Sequence, residues 1–355
     1  MRNIFFTIFF ALLLSATFVS GKAFPKLFKA DNKYFKYTGR VDFTNPEKPR
    51  FWSPGVYITT KFKGASCRLL INDEELFGKT HNYIEVVIDG KPKRIQTTGK
   101  TNTIQIAENL ANGEHTLLIC KDTESGMGYL EFVGLICEKL LPFNQPRRMI
   151  EYIGDSITAG AGVDASQVAC GKGQWYDQHN AYLAYGARTS RALNAQWQLT
   201  AVAGIGLIHS CCNMDILLPQ VYNKVYLRND SLDYDFKQYQ PDVVTICLGQ
   251  NDGPQDSVKF CSEYVRLIDT VRSKYAQASI VCLSSPMANA QLTAVLQRYL
   301  TGIVQFVNNR GDNKVSKFFF SKSFNSGCDS HPNANEHEVI ARELTAYLKK
   351  LKGWE

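Results

Sequence analysis

No C-x-x-C pair occurs in this sequence, so neither a zinc ribbon nor a thioredoxin-type redox site has ligands at the usual spacing. No other His, Cys, Asp and Glu cluster has metal-ligand spacing, and neither a metal nor a cofactor is expected. Only six histidines are present, which leaves few groups able to act as a base near neutral pH. Beyond residue 19 no apolar run approaches the roughly 20 residues a membrane-spanning helix needs. The basic residues are not clustered: Lys and Arg number 40 against 33 Asp and Glu, and the excess of +7 is spread along the chain. So diffuse an excess serves solubility and does not suit nucleic-acid binding. With 25 Gly and 12 Pro, collagenous, low-complexity and largely disordered readings are excluded. No internal repeat stands out.

What is present is 355 residues of ordinary globular composition, 45% apolar and 21% charged. Single cores stop growing at about 250–300 residues, so two domains are expected. Met1-Arg2-Asn3, the apolar stretch Ile4 to Val19 and the small residues Ser20-Gly21-Lys22-Ala23 read as a secretory signal peptide over 1–21. This predicts a secreted or periplasmic protein, free of the membrane once cleaved and monomeric. Export permits disulfides among the ten cysteines. Cys120, Cys137, Cys247 and Cys282 fall in apolar strand-like runs where cysteine often serves as a buried hydrophobe, and connectivity is left open.

Residues 24–140 read as all-β. Short apolar runs such as Tyr83 to Ile88, Thr103 to Ile106, His115 to Cys120 and Tyr129 to Cys137 alternate with turn pairs, notably Asp89-Gly90 and Asn112-Gly113. The pattern predicts a jelly-roll-like β-sandwich. Residues 141–148, with Pro142 and Pro146, read as a linker. From 149 to 355 apolar strands alternate with helical segments: strands at Met149 to Ile153, Leu199 to Ala203, Val243 to Leu248 and Ser279 to Leu283, and helices at Ala181 to Leu193, Phe260 to Tyr275 and Asn333 to Lys350. That alternation predicts an α/β domain of three layers, with a parallel sheet covered by helices on both faces.

Chemistry-bearing residues sit where those strands end. Gly154-Asp155-Ser156 follows the first, Gly204 the second and Gly249-Gln250-Asn251-Asp252 the third, and Asp329-Ser330-His331 precedes the last helix. In open α/β sheets, ligands bind beyond the carboxyl ends of the strands. Ser156 is the candidate nucleophile and His331 its base, with Asp329 near enough to orient the imidazole. The Ser156 and Gly204 N–H groups and the Asn251 amide are candidates for an oxyanion hole. Each block has a plainer use as a cap or turn; their common edge favours the catalytic use. Trp175 and Tyr176, on a polar loop after the nucleophile, could meet a ligand in the crevice or pack that loop onto the core. His209, Asn213 and Asn333 are further candidate substrate contacts, and His179 could also touch substrate.

The four blocks, in this order, resemble those of the SGNH (GDSL-type) hydrolases. Tyr37-Thr38-Gly39-Arg40, Phe51-Trp52-Ser53-Pro54-Gly55, the run from His115 to Glu124, Asn180 to Gly186, and Gly204-Ile205-Gly206-Leu207 resemble family 2 carbohydrate esterases, so the likeness spans nearly the whole chain. The resemblance implies a serine esterase of the acetylxylan esterase type, which removes O-acetyl groups from plant polysaccharides such as xylan or glucomannan, with hexose 6-O-acetyl a common preference. It also allows a backbone carbonyl to replace the acid of the triad. The competing readings are a lipase-like esterase on the same scaffold and a glycan-binding protein with a dead site. The β-sandwich lacks a dense stripe of surface aromatics and is expected to wall the cleft, not to bind glycan itself.

Overall fold

The computed structural model describes residues 24–229 and 232–355; the signal peptide assigned to 1–21 lies outside them. The chain begins with eleven strands: β1 (Lys26–Lys29), β2 (Lys36–Thr38), β3 (Arg50–Phe51), β4 (Tyr57–Lys63), β5 (Cys67–Asp73), β6 (Tyr83–Ile88), β7 (Lys91–Gln96), β8 (Thr101–Ala107), β9 (Glu114–Lys121), β10 (Leu130–Cys137) and β11 (Lys139–Leu141). They form two antiparallel sheets. One runs β1-β10-β5-β8, with β3 also on β10; the other runs β11-β4-β9-β6-β7, with β2 also on β4. Phe62, Leu69, Ile71, Ile84, Phe132 and Leu135 bury their side chains between the sheets. The β6–β7 hairpin turns at Asp89-Gly90, both with positive φ (50° and 78°), as a two-residue hairpin turn requires. The Asp89 carboxylate accepts the Thr116 N–H at 2.8 Å and meets the His115 ring at 2.6 Å, so the turn is tied to β9.

The second half is a five-stranded parallel sheet of β12 (Arg148–Gly154), β13 (Ala195–Ala201), β14 (Val243–Cys247), β15 (Ser279–Leu283) and β16 (Val315–Phe318), ordered β13-β12-β14-β15-β16. With it come α1 (Ser156–Ala159), α2 (Tyr185–Ala192), α3 (Leu218–Val221), α4 (Ser257–Lys274), α5 (Ala290–Asn309) and α6 (Ala334–Lys352). Ile246, Phe260, Leu267, Ile280, Leu300 and Ile303 form a core with α4 and α5 on one face. Ile150, Tyr185, Val243, Leu283, Ile340 and Leu344 form another with α2 and α6 on the opposite face. β14 is buried at all five residues, as a strand covered on both faces must be.

Two expectations change. The helix predicted over Ala181 to Leu193 is broken. A single 3₁₀ turn spans Ala181–Leu183, Ala184 is extended (φ −63°, ψ 153°), and α2 starts at Tyr185. The break follows from capping: Asn180 Oδ1 accepts the Leu183 N–H, and Tyr185 N–H donates to Nδ1 of the buried His337 at 3.0 Å. The segment read as a linker has β11 and β12 at its two ends, and its middle is tied to both halves. Gln145 donates to Thr38 Oγ1 at 2.8 Å, and Pro146 O accepts from Gln196 at the same distance.

The two halves share buried surface. Tyr57, Val87 and Cys120 of the sandwich belong to the α2/α6 core, and the rings of Tyr57 and Trp197 lie 4.0 Å apart. Arg40 crosses the junction fully buried, donating to Tyr222 O and Lys224 O at 2.7 Å and reaching Glu151 on β12 at 3.4 Å. Glu151 also accepts from Thr200 and Gln198. A buried carboxylate stripped of its cation is strongly penalised. Arg40→Leu should therefore lower the unfolding free energy by about 3–5 kcal/mol in urea titrations. A loss below about 1 kcal/mol would mean that the hydroxyl and amide suffice for Glu151.

Candidate active site

β12, β13 and β14 deliver their carboxyl ends to one edge. After β12, Asp155 caps α1 by accepting the Ile157 N–H at 3.1 Å, and Ser156 opens that helix. After β13 the chain turns at Gly204 (φ 85°), a conformation glycine adopts without a Cβ penalty. After β14 comes Asn251, and Asp252 behind it is fully engaged. Its carboxylate accepts the N–H groups of Leu207, Ile208 and His209 at 2.7–3.1 Å, which fixes the loop after Gly204. These three loops open on a cleft of about 720 Å³.

His331 arrives from the loop before α6. Its Nε2 lies 2.9 Å from Ser156 Oγ, and its Nδ1 lies 3.1 Å from the backbone oxygen of Asp329. A carbonyl can only accept, so Nδ1 carries the proton and Nε2 is left to accept from the serine hydroxyl. The Asp329 carboxylate, expected as the orienting acid, makes no hydrogen bond to the ring; the residue is exposed and holds a left-handed backbone (φ 52°), which aims its carbonyl, not its side chain, at the imidazole. This corrects the side-chain triad expected from Asp329. Burial pulls the His331 pKa below the ordinary histidine value, opposed by the Asp329 carbonyl and carboxylate. The base loop is anchored on two sides. The Cys170–Cys328 disulfide ties it to the Trp175 loop, and Cys328 N–H donates to Gly162 O at 3.1 Å. A side chain at Gly162 (φ 68°) would meet Cys328 O at 2.4 Å.

Asn251 lines the cleft, but its amide nitrogen donates to Ile205 O at 2.9 Å and approaches Asp155 Oδ2 at 3.2 Å. The second contact is the longer, and it is the one a substrate oxygen could replace. Asp155 is fully buried and its pKa is pushed up to about 7 by desolvation, which weakens its hold on that N–H.

The candidate substrate contacts divide. Trp175 is half exposed on the cleft, its ring 4.8 Å from that of His179, which also lines the cleft. Tyr176 is buried behind it against His81, 5.0 Å between rings, and supports the loop without facing the cleft. His209 is an exposed brace whose Nδ1 meets Asn251 O at 3.1 Å. Asn333 is the N-cap of α6, its side chain accepting the Glu336 N–H in a reciprocal capping box, so it is a helix start and not a sugar contact. Asn213 does line the cleft. Desolvation holds His179 neutral, with its pKa down to about 3. Sequence reading missed the far wall, where Glu124, Gly126 and Met127 of the sandwich face Arg228 of the second half. No local signal in the sequence joins segments so far apart. It also missed the vicinal pair Cys211–Cys212, which is disulfide-bonded and lines the cleft; two adjacent cysteines were the available clue.

Comparison with known proteins agrees with this fold. Residues 37–144 match the model of the carbohydrate esterase 2 N-terminal domain, and residues 152–316 match the GDSL-like Lipase/Acylhydrolase family. The chain is 32% identical over 336 residues to cellulase/esterase CelE of Acetivibrio thermocellus, covering 91% of this chain and 40% of that protein's length. It is 28% identical to an acetylxylan esterase / glucomannan deacetylase of Cellvibrio japonicus, covering 84% of this chain and 85% of that one. A family two carbohydrate esterase from Clostridium thermocellum, solved with cellohexaose, superposes with a TM-score of 0.82 at 32% identity, covering 90% of this chain and all of that one. The sandwich and the parallel sheet thus have their counterpart in a known group, and this chain belongs to the family 2 carbohydrate esterases.

Proposed function

We propose that this protein is an exported, monomeric serine esterase that removes acetyl groups from the hydroxyls of plant polysaccharides such as xylan or glucomannan. The observation that carries the reading is the 2.9 Å contact of Ser156 Oγ with His331 Nε2 at a sheet edge that also holds Gly204 and Asn251. Ser156 attacks the acetyl carbonyl while His331 takes its proton, and the Asp329 carbonyl stabilises the resulting imidazolium through Nδ1–H. The Ser156 and Gly204 N–H groups and the Asn251 amide receive the oxyanion. His331 then protonates the departing sugar oxygen, and water repeats the sequence to release acetate. Half-exposed Trp175 offers an aromatic face to the sugar, and Asn213, Gln250, Glu124 and Arg228 offer polar partners for its hydroxyls; such a cleft favours a carbohydrate over a long acyl chain. A disulfide between residues as distant as Cys170 and Cys328 suits an oxidising compartment, which supports export. Among the described residues no helix is long and apolar enough to cross a membrane.

Acetate release from acetylated xylan or glucomannan tests the reading. Ser156→Ala should lower kcat by roughly 10³-fold or more with the fold intact; retention of a tenth of the activity would remove Ser156 as nucleophile. Asn251→Ala should lower kcat by about a hundredfold with little change in KM. Asp329→Asn keeps both the left-handed backbone and the carbonyl, so its kcat should stay within about tenfold of wild type, far from the roughly 10⁴ loss expected where a carboxylate alone orients the base. An Asp329→Asn defect exceeding that of Asn251→Ala would restore the side-chain triad.

The base works in its neutral form, so kcat/KM should fall as pH drops through the His331 pKa, with a midpoint below the ordinary 6.5. The Asp329 carboxylate raises that pKa. Asp329→Asn should therefore move the acid limb to still lower pH; a move upward in the pH–rate profile would contradict the assignment.

A further inference from the structure

The vicinal disulfide of Cys211 and Cys212 takes no part in the chemistry above, yet it borders the candidate oxyanion site. Cys211 N–H donates to Gly204 O at 2.9 Å. A Cβ on Gly204 would stand 3.0 Å from Cys211 Sγ and 3.4 Å from Met214 Cε, so the sulfur and the methionine tip fill the space beside that glycine. Cys212 and Asn213 are consecutive left-handed residues (φ 62° and 57°), a path that bends the chain sharply into the cleft. The flanks of this tip are fixed. Ser210 Oγ accepts the Gly206 N–H and donates to Ile216 O at 2.6 Å, and Asp252 holds residues 207–209. The disulfide rigidifies the part that remains.

The tetrahedral intermediate sets which substituent meets this wall. With the oxyanion at Gly204 and Asn251, the leaving sugar oxygen must face His331, which protonates it. The sugar then lies on the side of His331 and Trp175, which leaves the acyl methyl the side away from the base, where Cys211 Sγ and Met214 Cε fill the space beside Gly204. We propose that the Cys211–Cys212 disulfide, backed by Met214, is the specificity-determining wall of the acyl pocket, sized for acetyl and closed to longer acyl chains. Sulfur is apolar and polarisable enough to accept a methyl group in contact, and a cross-linked pair cannot swing aside for a longer chain. The inference rests on the esterase reading above.

The test compares kcat/KM for 4-nitrophenyl acetate and butyrate. Wild type should favour acetate by at least roughly a hundredfold, since each methylene that a pocket excludes is worth about 10–200-fold. Cys211→Ala/Cys212→Ala removes both sulfurs and should raise the butyrate-to-acetate ratio at least about tenfold. Should that pair fail to fold, Met214→Ala leaves the disulfide in place and should move the ratio in the same direction. A wild-type enzyme that takes butyrate as readily as acetate overturns the proposal, as does an unchanged ratio in an active variant, while Ser156-dependent acetate hydrolysis in either case leaves the esterase reading standing. Absence of any Ser156-dependent ester hydrolysis in wild type overturns both.

Discussion

The catalytic geometry depends on strand order. β12 lies between β13 and β14, so the chain leaves β12 to one side, returns, and continues on the other. A crevice opens at the carboxyl edge of a parallel sheet wherever the order reverses in this way. Ser156, Gly204 and Asn251 are the residues that the three strands release into that crevice. Their mutual distance is thus set by hydrogen-bond register between strands. Gly154 stands level with Ala201 on one side and Cys247 on the other, and the loops need only be short to converge.

His331 has no such strand behind it. It comes from the far end of the sequence, and its position is secured by other means: a disulfide to the Trp175 loop, a backbone hydrogen bond to Gly162, and a capping box that starts α6 two residues later. The Trp175 loop is held in turn by the sandwich. Buried Arg94 of β7 donates to Asp177 O and His179 O, and Asn180 donates to Glu85 and Asp164. Burial raises the pKa of Asp122 well above that of a free carboxylate and that of Glu85 to about 7, and the Arg94 charge opposes both.

Much of this was legible in advance because the signals were local. The apolar run Tyr83 to Ile88 with Asp89-Gly90 after it specified a hairpin, and the run at Val243, with Thr245 its one polar residue, specified a strand covered on both faces. Ser156, Gly204 and Asn251 could be picked out because each sits where such a run stops, and His331 because it precedes the last helix with Asp329 two positions before it. What escaped depends on contacts between distant segments. The sequence around Ala181 has helical character, and only Asn180 and His337 break it. Asn333 and His209 read equally well as ligands or as supports until their partners are known, and both prove to be supports. Asp329 was the subtler case: a carboxylate two positions before a histidine suggests a side-chain contact, but the left-handed backbone there turns the carbonyl inward. That conformation leaves little trace in residue type.

The buried Arg40 and the core shared by Tyr57 and Trp197 make the sandwich more than an appendage. Its Glu124 and Met127 form one bank of the cleft, and its Arg94 and Arg40 act as buried struts for the other half. The two halves are therefore coupled as one folding unit through these buried contacts. Recombination within residues 142–147, which looks on paper like a natural seam, would part a charge from its counter-charge and an aromatic stack from its partner. Substitutions in the cleft-lining turns around Gly126, Trp175 and Cys212 can reshape the site without touching that junction.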